Sequence, residues 1–314
     1  MQELITGKLE EWADKAEVIS IRIPGYWTHK KGSDIEPFSP PQPGEKIVYA
    51  LHGGAYVRLS GHPTDVTGNI GKGFLKYVDK VTRVFSPEYR LAVGKPNIPQ
   101  HSFPTQLIDA LAGYNYLVNV VGFSPDDIIV EGDSAGGNLA HALTRYLVEY
   151  QGDAKVKIPG PPSALILTSP WADLGEGHEI LPNGSAKKFL GIDYLPGDGA
   201  YAKGAFTGVH GLSAASTNPY VSPASLDPSF EISFKGFPRT FIIGGGAELL
   251  LDCIRTLKER MIKDLGEGDG VKEGDGKVRY YEAPDAVHDY LCFQWSEPER
   301  SQTFQAINAW LDCS

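Results

Sequence analysis

Short runs of β-branched and apolar residues recur along this chain with helical patterns between them, and this alternation narrows the fold more than any other feature. Residues 18–23, 47–51, 81–85, 128–131, 165–168, 240–244 and 278–282 read as strands. Between them, Leu107, Leu111, Tyr114, Val118 and Val121 recur at spacings of three and four, as do Leu139, Leu143, Tyr146, Leu147 and Tyr150. Leu250, Ile254, Leu257, Met261 and Leu265 repeat the pattern, and Phe304, Ile307 and Leu311 close the chain with another. These are the apolar faces of helices. The order predicts an α/β fold in which a mostly parallel sheet is covered on both faces. With 314 residues, 41% of them hydrophobic, the chain has enough apolar surface for one large core and one main domain.

Two segments break the alternation. Residues 1–17 form a candidate amphipathic helix through Leu4, Ile5, Leu9, Trp12 and Ala16. Residues 175–235 are rich in Gly, Pro and Ser, with Phe189, Tyr194, Tyr201, Phe206 and Tyr220 scattered among them. A connection that long is usually functional. Its aromatics have surface to bury, which predicts a cap over the C-terminal edge of the sheet. By contrast GEGDGVKEGDGK, residues 266–277, has almost nothing to bury and reads as a mobile surface loop.

The net charge is −10 and no Lys/Arg cluster stands out, which argues against nucleic acid or an anionic membrane as partner, since both attract basic patches. Cys253, Cys292 and Cys313 are an odd number without CxxC spacing, so free thiols are expected rather than a disulfide framework or a zinc site. The opening MQELITGKLEEWADKAE lacks the continuous apolar stretch of a secretory signal, and no run reaches membrane-spanning length. A soluble, cytoplasmic protein without cofactor or metal is the expectation.

The stretch GDSAGG, residues 132–137, carries the chemistry. G-x-S-x-G is weak by itself in a chain with 36 glycines. Its setting is stronger: DIIVEGDSAGGNLAHALTRYLVEY reads strand, tight turn, helix, which is how a nucleophilic serine is held exposed on a strained turn. Gly132 and Gly136 let strand and helix approach closely, and the helix N-terminus behind Ser134 favours developing negative charge. A phosphate-cradling loop is the competing reading, and no Walker lysine follows to support it.

In YALHGGAYV, His52, Gly53, Gly54 and Ala55 directly follow an apolar strand, where small residues can turn backbone N–H groups toward an oxyanion. A serine of this type needs a base and an acid, which in this architecture follow it in the order Ser, acid, His. His288, in YYEAPDAVHDYLCF, lies after a late strand and is the candidate base. For the acid, TFIIGGGAELLLDC offers Glu248 directly beyond the strand and Asp252 one helical turn later. The end-of-strand position favours Glu248, with Asp252 as the alternative and Asp285 and Asp289 left as structural charges. Tyr56, Val57 and Trp171, with Asp133 in the elbow itself, are candidates for lining a substrate pocket, because ligands in such sheets bind at the C-terminal strand ends. Arg90 and Asp109 read as a structural ion pair, and Trp12 and Trp27 as cap packing or substrate contacts.

Across residues 45–295 the chain resembles the hormone-sensitive-lipase-like branch of the α/β-hydrolases, which includes bacterial and fungal carboxylesterases. The resemblance runs through HGGA, SPEYRLA, GDSAGG, SPWADL, NPYVSPA, GGGAELLLD and VHDYL. It implies a cap built from residues 1–40 and 175–235 around a catalytic domain of residues 41–174 and 236–314, and it is compatible with a homodimer. By motif position Ser134 matches the nucleophile and His288 the base, while Gly54, Ala55 and Ala135 match the oxyanion-hole donors, with Gly53 beside them. Ala55 stands where the family has a third glycine, which is costly if its φ is positive. Glu248 stands where an aspartate is usual, which changes reach but not charge. The resemblance implies a serine carboxylesterase, acting on short to medium acyl esters; an amide, carbamate or lactone hydrolase with the same triad, or a non-catalytic small-molecule receptor, are the competing readings.

Overall fold

The computed structural model describes residues 3–312 except 34, 37, 197 and 198. Cys313 therefore lies outside the described residues, while Cys253 and Cys292 are buried free thiols. The strands are β1 (Gly25–His29), β2 (Lys46–Leu51), β3 (Val81–Pro87), β4 (Ile128–Asp133), β5 (Ala164–Thr168), β6 (Arg239–Gly245) and β7 (Val278–Ala283). They form one sheet in the order β1-β3-β2-β4-β5-β6-β7. β1 runs antiparallel to β3 at the edge, and all other neighbours are parallel.

Helices α1 (Gly7–Lys15), α2 (Gly68–Tyr77), α3 (Thr105–Tyr116), α4 (Ala135–Glu149), α5 (Ser185–Lys188), α6 (Ala200–Thr207), α7 (Ala214–Thr217), α8 (Leu251–Leu265) and α9 (Glu299–Asp312) surround the sheet. Successive strand residues point to opposite faces, and the core divides accordingly. Tyr49, Val130, Leu167 and Ile242 pack with Leu107 of α3, Leu143 of α4 and Ile254 of α8. Val48, Ile129, Ile166 and Phe241 pack with Phe74 of α2 and with Phe304 and Trp310 of α9. A sheet covered on both faces explains why β4 and β5 are buried along their whole length.

Several sequence expectations meet a different structure. Residues 18–23 are not a strand: Ile19 and Ile21 are exposed, and the strand forms instead at Gly25–His29, paired with β3. The alternation at 18–23 is the right pattern without a partner strand to complete it. Because β1 belongs to the sheet, an N-terminal cap segment of residues 1–40 is too long; α1 is the part that packs toward residues 175–235, through Trp12 against Phe103 and Tyr220. Trp27 lies on β1 against Phe85 and Tyr116 and is not among the residues that line the cavity beside Ser134. The helix expected through Val121 changes after Tyr116 into a π-helical turn, Leu117–Val121, closed by Gly122 at φ 98°. The glycine-rich loop at 266–277 folds back on itself, with Gly270 N–H donating to the Gly276 carbonyl and Asp269 paired to Arg279.

The SPEYRLA segment braces the sheet's working end. Arg90 makes a bidentate pair with Asp109 of α3, with both side chains buried. Arg90→Ala would leave Asp109 as an uncompensated buried charge, so a loss of about 3–5 kcal/mol is expected in denaturant unfolding. Among the described residues no helix is long and apolar enough to cross a membrane.

Candidate active site

The strand order reverses between β2 and β4: β2 connects onward to β3 on one side, and β4 to β5 on the other. The loops leaving the two strands therefore diverge and open a crevice, the usual ligand position in an open α/β sheet. Register pairs Leu51 with Gly132, which sets the loop after β2 directly beside the turn after β4.

Ser134 sits at that turn with φ 52° and ψ −117°, a conformation that L-residues rarely adopt. Hydrogen bonds hold it there. Its N–H donates to the Thr168 carbonyl, and its carbonyl accepts from Trp171 N–H and Asn138 N–H. The glycines are obligatory: a Cβ on Gly132 would lie 2.1 Å from the Gly136 carbonyl oxygen, and one on Gly136 would lie 1.9 Å from that of Leu51. Strand and helix thus meet backbone to backbone around the serine.

On the neighbouring loop Gly54 has φ 109° and Ala55 φ 54°. The alanine in place of a third glycine therefore carries left-handed strain, which costs about 1 kcal/mol. Among the described residues, the N–H groups of Gly54, Ala55 and Ala135 take part in none of the loop's backbone hydrogen bonds. Gly53 differs: its N–H donates to Asp133 Oδ2 at 3.0 Å. That carboxylate ties the two loops together, so Gly53 is a strut and not a free donor. Tyr89 adds a second brace, stacking on His52 at 4.1 Å and donating its hydroxyl to the His52 carbonyl.

His288, at 1% exposure, follows β7, and Glu248, wholly buried, follows β6. Glu248 Oε2 lies 2.9 Å from His288 Nδ1. The other oxygen, Oε1, accepts from Gly245 N–H at 3.1 Å. The longer glutamate side chain is therefore pinned at both oxygens, which answers the looser hold its extra methylene would bring. His288 Nε2 has no aligned hydrogen-bond partner and is not bonded to Ser134 Oγ. Catalytic contacts of this kind often tighten only with substrate bound. Asp252, the alternative acid, is placed elsewhere: its Oδ2 accepts from Ser185 N–H and its own N–H donates to Ser185 Oγ, anchoring α5 to α8.

Residues 48–291 match the family model described as alpha/beta hydrolase fold. The chain belongs to the α/β-hydrolase family. It is 28% identical over 270 residues to Esterase LipU of Mycobacterium tuberculosis, a match covering 85% of this chain and 77% of that relative. The crystal structure of EstE5, soaked with p-nitrophenyl butyrate, superposes with a TM-score of 0.65 at 27% identity, covering 96% of this chain and 85% of that one. An esterase from the bacterial hormone-sensitive lipase family shares the fold with a TM-score of 0.66 at 24% identity, over 92% of this chain and 80% of that one. The family resemblance carried by the motifs is borne out.

In this α/β-hydrolase a cavity of about 390 Å³ opens beside Ser134. Ala55, Val57 and Trp171 line it from the sheet side, Leu249 and Leu250 from the acid loop, and Ala202 of α6 from the 175–235 segment. Two pocket candidates belong elsewhere. Tyr56 is fully buried, stacked on Phe206 at 3.8 Å with its hydroxyl on Asn138 Oδ1, because φ 65° turns its side chain into the core. Asp133 is equally buried and committed to Gly53.

Sequence reasoning missed several supporting groups. Asn138 bridges Tyr56 to the carbonyls of Trp171 and Val221. Asp193, inside the 175–235 segment, accepts from Leu249 N–H through Oδ2 and from His288 N–H through Oδ1. His178 lies in the cavity wall between Asp173 and Thr256. Glu131, on β4 behind Ser134, is a buried carboxyl pushed up to about 8 by burial. Asp133 is also raised, by burial and then by Asp289 and Glu131. An acid at 131 directly after the apolar run Ile128–Val130 was the available signal for this group.

Proposed function

We propose that this α/β-hydrolase is a serine carboxylesterase for soluble esters of short to medium acyl chains. The observation that carries the reading is Ser134, held on a strained elbow at the crevice and open to an apolar cavity, with a finished His288–Glu248 pair on the neighbouring strand ends. Similarity to proteins described as esterases supports the same chemistry.

In this mechanism Ser134 Oγ attacks the ester carbonyl while His288 Nε2 takes its proton, and Glu248 on Nδ1 fixes the tautomer and stabilises the imidazolium. The oxygen turning anionic is received by the N–H groups of Gly54, Ala55 and Ala135, each contributing about 3 kcal/mol in sites of this kind. The α4 N-terminus adds its partial positive charge. His288 then protonates the departing alcohol, and water repeats the sequence on the acyl-enzyme.

The cavity size is at the small end of the range for ligand pockets. The helices of the covering segment are short, eight residues in α6 and four each in α5 and α7, so none offers the long apolar surface that docks on emulsified fat. A nitrophenyl ester series is therefore expected to give its highest kcat/KM at butyrate to hexanoate length and to fall with longer chains. A maximum at long acyl chains would overturn the substrate assignment.

A further inference from the structure

His288 touches a carboxylate that the triad does not need. Asp289, the next residue, adopts the left-handed conformation, φ 48° and ψ 36°, and its Oδ2 lies 3.0 Å from His288 Nε2. The contact is off the hydrogen-bond axis, because Nε2 has no aligned partner. It is a charge contact that leaves the in-plane position of Nε2 open.

Nothing else about the position calls for an acid. A left-handed backbone is met without strain by glycine, and the hydrogen bonds of the position, from Asp289 N–H to Ser169 Oγ at 3.2 Å and from Cys292 N–H to the Asp289 carbonyl at 2.9 Å, use backbone atoms that any residue except proline supplies. The carboxylate's Oδ1 is buried without a partner. A 6% exposed carboxylate with one unsatisfied oxygen is expensive to keep. Its one strong interaction is with the imidazole.

The other titratable groups around the pair are mostly acidic. Glu248 contacts Nδ1, Asp193 accepts from the His288 amide, and Glu131 and Asp133 act on Asp289 or feel its charge from β4. The Tyr194 ring stands 6.1 Å from the imidazole, and buried Cys292, within reach of the Arg300 charge, follows on the same turn. Burial alone would lower His288, but Asp289 and then Glu248 outweigh it and hold the imidazole well above its ordinary value.

We propose that Asp289 is a positioning residue for the base: its carboxylate, held off-axis against Nε2, sets the pH at which His288 becomes neutral and able to take the proton from Ser134. This rests on the esterase reading above. A neighbouring negative charge favours the imidazolium, which cannot act as base. The acid limb of kcat/KM is thereby displaced toward higher pH, and removing the charge brings it down.

The test compares pH profiles of kcat/KM for a nitrophenyl ester in the wild type, Asp289→Asn and Asp289→Gly. The first variant keeps size and removes charge; the second also suits the backbone conformation. The limb is expected to move down by about one pH unit or more in both. A limb that stays in place in either folded variant overturns the proposal. A readout independent of turnover is the ¹⁵N titration of the His288 ring in Ser134→Ala, with and without Asp289→Asn: a midpoint lowered by the second change supports the proposal, and an unmoved midpoint defeats it. Absence of ester hydrolysis in the wild type would sink the functional reading alone, since the ring titration still decides the role of Asp289.

Discussion

Ser134→Ala is expected to remove ester hydrolysis, with kcat falling about 10⁶-fold, the scale on which a serine triad loses its nucleophile. The reason is local. Ser134 supplies the hydroxyl at the elbow, and alanine keeps the strained turn, because the bonds that hold it are made by the backbone of Thr168, Trp171 and Asn138. Folding should therefore be unchanged, and the unfolding midpoint is the control. A fluorophosphonate probe should add its mass to Ser134 in the wild type and to nothing in the variant. Wild-type turnover in Ser134→Ala would remove Ser134 as the nucleophile, and a folded wild type that hydrolyses no ester and that the probe leaves untouched would leave a small-molecule receptor as the better account of the cavity.

Glu248→Gln should lower kcat about 10⁴-fold with little change in KM, the scale seen when the orienting carboxylate of a triad becomes an amide. Glutamine preserves the shape and can still accept from Gly245 N–H, but it no longer stabilises the charged imidazole. Asp252→Asn is the contrasting case. It weakens the link between α5 and α8, through Ser185, and leaves Glu248 in place, so a stability loss of about 1 kcal/mol with kcat nearly intact is expected. The reverse ranking of the two variants would move the acid to residue 252.

What was legible in the sequence is what local chemistry compels. Ser134 could be found because a side chain on a left-handed elbow needs glycines on both sides, and Gly132 and Gly136 occupy the two places where a Cβ would strike backbone. Glu248 and His288 could be found because their loops must leave parallel strands at the same end. The alternation gave six of the strands: β4, β5 and β6 are buried along their whole length and need apolar runs, and β2, β3 and the partly exposed edge strand β7 still carry enough apolar and aromatic residues to stand out. β1 escaped because GYWTH has no alternation, and its place depends on pairing with β3 rather than on its own pattern. Tyr56 was misplaced because chain position puts it at the crevice while φ decides which way it turns. Asp193 and Asp289 were beyond reach for a related reason: each acts through a partner about a hundred residues away or through a backbone angle, and neither leaves a periodic trace.

Asp193 has a consequence for how the enzyme can change. One carboxylate, carried by the segment that walls the cavity, fastens both the loop bearing Glu248 and the loop bearing His288. Substrate range and reactive centre therefore do not drift as separate modules. A lineage that exchanges this wall for another must bring an equivalent fastener with it, or trade its new preference for a catalytic pair that no longer stands still.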